Sequence, residues 1–151
     1  MSDVVDAIGS LRRVITTNDP DGKSRIMIDD GPAETFRSGD VGGLYEIWHD
    51  AASGPLDGQP CDDKAKGTPL LSPVTGKGKI RWFAIEPAPE GASLEDLKAV
   101  TRQAFITMGA GDHQPDTSKH PAMHLTHTID AIILVKGRVR LILDKEETVI
   151  G

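Results

Sequence analysis

Residues 120–137, HPAMHLTHTIDAIILVKG, decide the predicted fold of this chain. Residues 123–135 are predicted to form one long β-strand, whose side chains alternate between two faces. One face begins polar and becomes apolar, and the other is apolar apart from His127. This pattern suits a small barrel, in which the polar end lines a pocket and the apolar face packs on another sheet or subunit. The first face carries His124, Thr126, Thr128, Asp130, Ile132 and Leu134, and the second carries Leu125, His127, Ile129, Ala131, Ile133 and Val135.

The remaining sequence predicts short strands joined by turns, with one helix. Residues 12–17 and 23–28 flank an Asn-Asp-Pro-Asp-Gly turn and predict a hairpin. The whole chain, 1–151, is predicted to be a single all-β domain with one helix. Its predicted parts are N-terminal strands within 12–49, a long polar loop over 50–79, a helix over 93–108, and the motif with its following strands over 122–151.

The predicted helix and the predicted long loop are each supported by a specific feature of the sequence. Ser93 with Asp96 three residues later resembles a helix capping box, and apolar residues follow at helical spacing until Gly109. The polar stretch 50–79 is unusually long for a loop in a small domain. We expect it to be disordered or to lie over a partner subunit.

The composition excludes several classes of partner. A net charge of −6 disfavours nucleic acid and anionic membranes, which both require a cationic surface. No apolar run approaches the roughly 20 residues needed to cross a bilayer. A single cysteine, Cys61, excludes an internal disulfide and a multi-cysteine metal site. A cytoplasmic location is therefore expected.

The central segment resembles the first motif of the cupin family. That motif has His, any residue, His, three or four residues, Glu, six residues and Gly. Counting back from Gly137, Asp130 takes the Glu position, Thr126 the second His position and His124 the first. The segment is also similar to a bacterial and fungal cupin subgroup with the pattern His-Pro-x-Met-His-x-Thr-x-Thr-Ile-Asp. The similarity to this subgroup extends to Met108-Gly109-Ala110, Asp116-Thr117-Ser118 and the hairpin with Asp29, Gly31 and Pro32.

The resemblance implies a jelly-roll barrel with a metal-binding pocket. This sequence departs from the subgroup at Ala131, where an aromatic residue is usual, and at Lys136-Gly137-Arg138, which replaces a Gly-Glu ending. Such cupins continue into a second motif whose His supplies the last ligand. The sequence ends at Gly151, about where that motif would start, so we expect an incomplete barrel.

The candidate site residues follow from the shared strand face. His124 and Asp130 are candidate ligands for Fe, Mn, Ni or Zn, as the resemblance implies. The alternatives are a hydrogen-bonded pocket residue for His124 and a carboxylate paired with an arginine or a backbone amide for Asp130. Thr126 and Thr128 are expected to line the pocket.

A different role or location is predicted for each of the other histidines. His120, next to Pro121, is a candidate catalytic acid or base at the barrel mouth. His127 is predicted to lie at the surface or at an interface. His49 and His113 are predicted to be solvated loop or strand-end residues.

Two functions remain open from the sequence. One is a metal-dependent enzyme of the oxygenase, decarboxylase, isomerase or cyclase type, acting on an organic acid or aromatic metabolite. The other is a non-catalytic module that binds a small molecule or dimerises and lacks a complete metal site. Unpaired strand edges in an open barrel predict a homodimer. Whether the protein is an enzyme is therefore left open.

Overall fold

A computed structural model describes residues 11–38, 42–51 and 61–151. The chain divides into two compact units, 1–90 and 91–151. In the described part the sheets are antiparallel and do not close into a barrel. The first unit has strands β1 (Arg13–Asn18), β2 (Ser24–Asp30), β3 (Glu34–Arg37), β4 (Gly42–Ala51) and β5 (Lys77–Ile85); the second has helix α1 (Leu94–Thr107) and strands β6 (Val139–Ile142) and β7 (Glu147–Ile150).

The predicted N-terminal hairpin is confirmed. Strands β1 and β2 pair antiparallel, from Arg13 opposite Asp30 to Asn18 opposite Ser24. In the turn, the Gly22 amide donates to the Asp19 carbonyl at 2.8 Å. Gly22 has φ +79°, a conformation that L side chains rarely adopt, which explains glycine at this position.

Strands β3, β4 and β5 form a three-stranded sheet in that order. Strand β4 begins at Gly42, where a Cβ atom would lie 2.1 Å from the Ala84 carbonyl oxygen of β5. Only glycine therefore allows this close approach of the two backbones. Between Glu46 and Trp48 the register shifts, because two residues of β4 oppose one residue of β5. Ile47 is thus the extra residue of a β-bulge.

Residues 61–76 of the predicted polar loop lie on their own unit. Arg13 donates to the Asp63 carboxylate, and the Gly67 amide donates to Glu34 Oε1 at 3.1 Å. Arg81 and Lys79 each donate to the Leu70 carbonyl at 2.7 Å. The described part of this loop is therefore fastened to strands of the same chain. Residues 52–60 of the predicted loop, and 39–41 of the predicted strand region, lie outside the described residues.

The predicted helix is present as α1. Its N-cap is Ser93, whose hydroxyl accepts from the Asp96 amide at 3.1 Å, as the capping-box pattern predicts. Gly109, with φ +66°, follows the helix end. Phe105, Met108 and Ala110 are buried and form the core of the second unit's helical part.

The strand predicted over 123–135 is not formed. Strands β6 and β7 pair as a hairpin, close to their predicted positions, but residues 122–135 have no ladder partner in the described chain. The physical reason is that a strand requires a neighbouring strand, and sequence periodicity does not supply one. Burial alternates only around Thr126 and Thr128, which are half-buried between exposed neighbours. The apolar face, predicted to pack on another sheet or subunit, is exposed at all six positions.

Within the described residues, the 14-residue helix α1 falls short of a membrane span, and no other helix there could form one.

Candidate functional site

His124 is held in one tautomer and one orientation. Its Nδ1 lies 2.9 Å from the Ala122 carbonyl oxygen, which can only accept, so Nδ1 carries the proton. Its ring also contacts Phe105 of α1, with centroids 5.1 Å apart and planes tilted by 54°. The Nε2 lone pair of this exposed residue is therefore available to a metal ion or a hydrogen-bond donor.

His120 has the opposite tautomer. Its Nδ1 accepts from the Ala122 amide at 3.1 Å, so in the neutral ring the proton is on Nε2. The Met123 amide donates to the His120 carbonyl at 3.0 Å, which closes a turn around Ala122. In this arrangement the neutral imidazole can donate a proton from Nε2, whereas its lone pair is already engaged.

The two predicted pocket threonines contact each other. The Oγ1 atoms of Thr126 and Thr128 are 2.8 Å apart, and both residues are half-buried. Residues two apart meet in this way when the backbone is extended, which agrees with their predicted shared face. Their hydroxyls are engaged with each other.

A complete metal site does not form in the described residues. His124 and Asp130 are both exposed, and no group of three or more His, Cys, Asp or Glu side chains in this part of the chain is placed to hold a metal ion. Biological transition-metal sites generally use at least three protein donors. The donor set in the described residues therefore does not fit the metal centre that the resemblance implies.

A second polar cluster, not among the sequence-predicted site residues, lies on the three-stranded sheet of the first unit. Glu46 on β4 is fully buried, at 0% exposure. Its Oε1 accepts from Arg81 at 2.7 Å and lies 3.5 Å from the Lys79 ammonium. Its Oε2 lies 2.9 Å from Nε2 of His49. One buried carboxylate thus contacts three basic side chains.

The β-bulge at Ile47 explains this convergence. In a regular strand, residues 46 and 49 would lie on opposite faces. The extra residue places Glu46 opposite Arg81 and His49 opposite Lys79, and positions 79 and 81 share a face. His49, predicted to be solvated, is instead half-buried and bonded to Glu46.

Two residues of this cluster, His49 and Lys79, line a cleft of about 410 Å³. Its rim includes Lys64, Lys66 and Lys77, and Lys79 is its most buried ammonium, with a side chain 8% exposed. Burial, together with the nearby Arg81 charge, lowers the pKa of Lys79 despite the opposing effect of Glu46. The ammonium therefore lacks full compensation by negative charge.

The basic side of this cluster is visible in the sequence. Lys77, Lys79 and Arg81 alternate with Gly78, Ile80 and Trp82, a period-two pattern that places three positive charges on one strand face. The carboxylate opposite them could not be assigned from the sequence, because the bulge that aligns it is invisible in the pattern of residues 42–51.

Comparison with protein-family models, curated proteins and solved structures gave no match to this chain.

Proposed function

We propose that this chain is a non-catalytic, cupin-like β module that associates with a second copy of itself through residues 125–135. The observation that carries the proposal is the exposure of every residue on the apolar face of that segment. In the jelly-roll that the cupin resemblance implies, this segment is a paired strand. The single, exposed Cys61 thiol requires no oxidising compartment, which favours a cytoplasmic location.

The apolar surface is large for an exposed segment. Ile129 is fully exposed, Ile133 is 86% exposed, and Val135 is 68% exposed. Covering a side chain of this type stabilises an assembly by about 1.5–3 kcal/mol. Apolar side chains exposed in succession on one side of a segment favour an interaction site there.

The backbone of the same segment is available for pairing. Residues 126–137 make no backbone–backbone hydrogen bond within the part of the chain that the structure describes. Exposed amides and carbonyls next to apolar side chains form a template for an added β-strand. Both the backbone and the side chains of this segment thus favour pairing with another polypeptide strand.

A second copy fits this segment because it supplies the same apolar face without charge repulsion. Antiparallel self-pairing centred on Ala131 places Ile129 opposite Ile133 and His127 opposite Val135. The only acidic residue, Asp130, then lies opposite Ile132 rather than opposite its own copy. Such twofold pairing is closed, so it yields a dimer rather than a fibre.

Sedimentation of the full chain over a range of concentrations tests the proposal. We expect a dimer for the wild type and a monomer for Ile133→Asp. Ile26→Asp is the control, because Ile26 is also an exposed strand isoleucine, 55% exposed on β2. A monomeric wild type, or equal dissociation of the dimer by Ile26→Asp, would contradict the proposal. Circular dichroism checks that each variant keeps its fold.

A second candidate function is a metal-dependent enzyme acting on an organic acid or aromatic metabolite, with His124 as one ligand. The specific observation in its favour is the Nε2 lone pair of an imidazole fixed by Ala122 and Phe105. Titration with Zn²⁺ or Ni²⁺ tests it, with His124→Ala as the variant and His127→Ala as the matched control. Stoichiometric binding lost only in His124→Ala supports this candidate, and its absence in the wild type argues against it.

A further inference from the structure

The cleft of the first unit has an excess of positive charge in a chain of net charge −6. Lys64, Lys66, Lys77 and Lys79 line it together with His49. Asp50 is the acidic residue of the lining, and Lys64 and Trp48 already donate to its carboxylate at 3.0 and 3.2 Å. The charge excess therefore faces a cavity large enough for a small ligand.

Hydrogen bonds within the protein fix the position of the inner part of the cleft, unlike a chance grouping of surface lysines. The Leu70 carbonyl accepts from both Lys79 and Arg81, and the Leu71 carbonyl accepts from Arg81 at 3.0 Å. These bonds hold the loop above the sheet and fix the buried Lys79 ammonium beneath it. An ammonium has three donors, and the contacts of Lys79 are with Leu70 at 2.7 Å and, more weakly, with Glu46 at 3.5 Å.

A second observation, an unsatisfied hydroxyl in the cleft, indicates that a ligand supplies its hydrogen-bond partner. The Ser72 hydroxyl lines the same cleft, is buried, and has no hydrogen-bond partner in the described residues. A buried hydroxyl without a partner costs roughly 1–3 kcal/mol, so native proteins generally satisfy it. The rim ammonium of Lys77 makes no hydrogen bond or ion pair in the same part of the chain.

We propose that this cleft binds a small organic anion, whose carboxylate or phosphate group accepts hydrogen bonds from Lys79 and Ser72. Lys77 and Lys66 at the rim hold the remaining negative charge of the ligand. The site is distinct from the apolar segment 125–135, which belongs to the other unit.

Calorimetric titration of the full chain with inorganic phosphate and with succinate tests the proposal, at constant ionic strength set with chloride. We expect saturable binding of at least one probe to one site per chain. Preference for phosphate or succinate identifies the oxyanion. Absence of saturable binding by both probes would overturn the proposal.

Two variants locate the site, and two others serve as controls. Ser72→Ala removes an unpartnered hydroxyl, so it should fold normally and weaken binding about tenfold. Lys77→Met should weaken binding by a similar factor. Lys145→Met, at an exposed turn remote in sequence, is the charge-matched control and should leave binding unchanged. Equal weakening by Lys145→Met would show a non-specific charge effect and overturn the proposal. Ile133→Asp should bind as the wild type does, which separates this site from self-association.

Discussion

The Arg13 guanidinium donates through two nitrogens to the two carboxylate oxygens of Asp63, fifty residues away in sequence. The same guanidinium donates to Asp30 on β2 and to the carbonyl of Ile47, each at 2.9 Å. Arg13 is only 4% exposed. One buried side chain therefore joins the hairpin, the bulge of β4 and the loop that covers the neighbouring sheet.

Replacing Asp63 should destabilise the first unit strongly. Asp63→Asn keeps the size of the side chain but leaves the buried Arg13 charge with Asp30 as its one remaining acidic partner among the described residues. Breaking a buried pair in this way costs about 3–5 kcal/mol. Urea unfolding measures the change. Asp62→Asn is the control, because Asp62 is exposed, and its effect should stay within about 0.5 kcal/mol. Equal stability of the two variants would contradict a structural role for the pair.

The Arg13–Asp63 pair should also make stability depend on pH. Burial alone would raise the pKa of Asp63, but the bonds from Arg13 and the Ala65 amide hold that pKa below its ordinary value. Because the folded pKa is the lower one, the stabilisation is complete above the unfolded value of about 4 and is lost as pH falls through the folded value. The wild-type free energy of unfolding should fall more steeply than that of Asp63→Asn over this acid range. Parallel curves would show that Asp63 does not contribute.

The sequence predicted local structure better than it predicted pairing. The turn around Gly22 and the Ser93 cap depend on residues within a few positions of each other, so their chemistry is visible in the sequence. The predicted strand over 123–135 required a neighbour, which its periodicity could not specify. The convergence of Glu46 and His49 required a bulge at Ile47, and a bulge depends on the register of two strands. Of the candidate site, the facing of Thr126 and Thr128 was predictable, whereas the surroundings of His124 and Asp130 were not.

Neutralising Glu46 should be costly although it lies far from the sequence motif. Glu46→Gln removes the buried negative charge that contacts Arg81, Lys79 and His49, so the buried Lys79 ammonium loses the carboxylate beside it. We expect a loss of about 3 kcal/mol in the free energy of unfolding. Glu147→Gln, at an exposed pair with Arg140, is the control and should change stability little. A fully stable Glu46→Gln variant would show that the cluster is dispensable for folding.

The proposed dimer register can be tested by disulfide trapping in a Cys61→Ser background. With pairing centred on Ala131, Ala131→Cys places the two thiols directly opposite each other, where Cβ atoms lie about 4.5–5.5 Å apart. Thr128→Cys would pair with Leu134 of the other copy, so its two thiols lie about 20 Å apart. Under mild oxidation, Ala131→Cys should form a covalent dimer, as seen by non-reducing electrophoresis, and Thr128→Cys should not. The reverse result would exclude this register.

The two imidazoles on either side of Ala122 should be in opposite tautomers. His124 donates from Nδ1 to the Ala122 carbonyl, and His120 accepts at Nδ1 from the Ala122 amide. Nitrogen NMR of the ¹⁵N-labelled side chains, at a pH of about 8 where histidines are mostly neutral, distinguishes protonated from unprotonated ring nitrogens. We expect an unprotonated Nε2 in His124 and a protonated Nε2 in His120, with His127 as an exposed reference. This pattern would leave His124 able to ligate a metal ion and His120 able only to donate. A protonated Nε2 in His124 would remove the observation on which its role as a metal ligand depends.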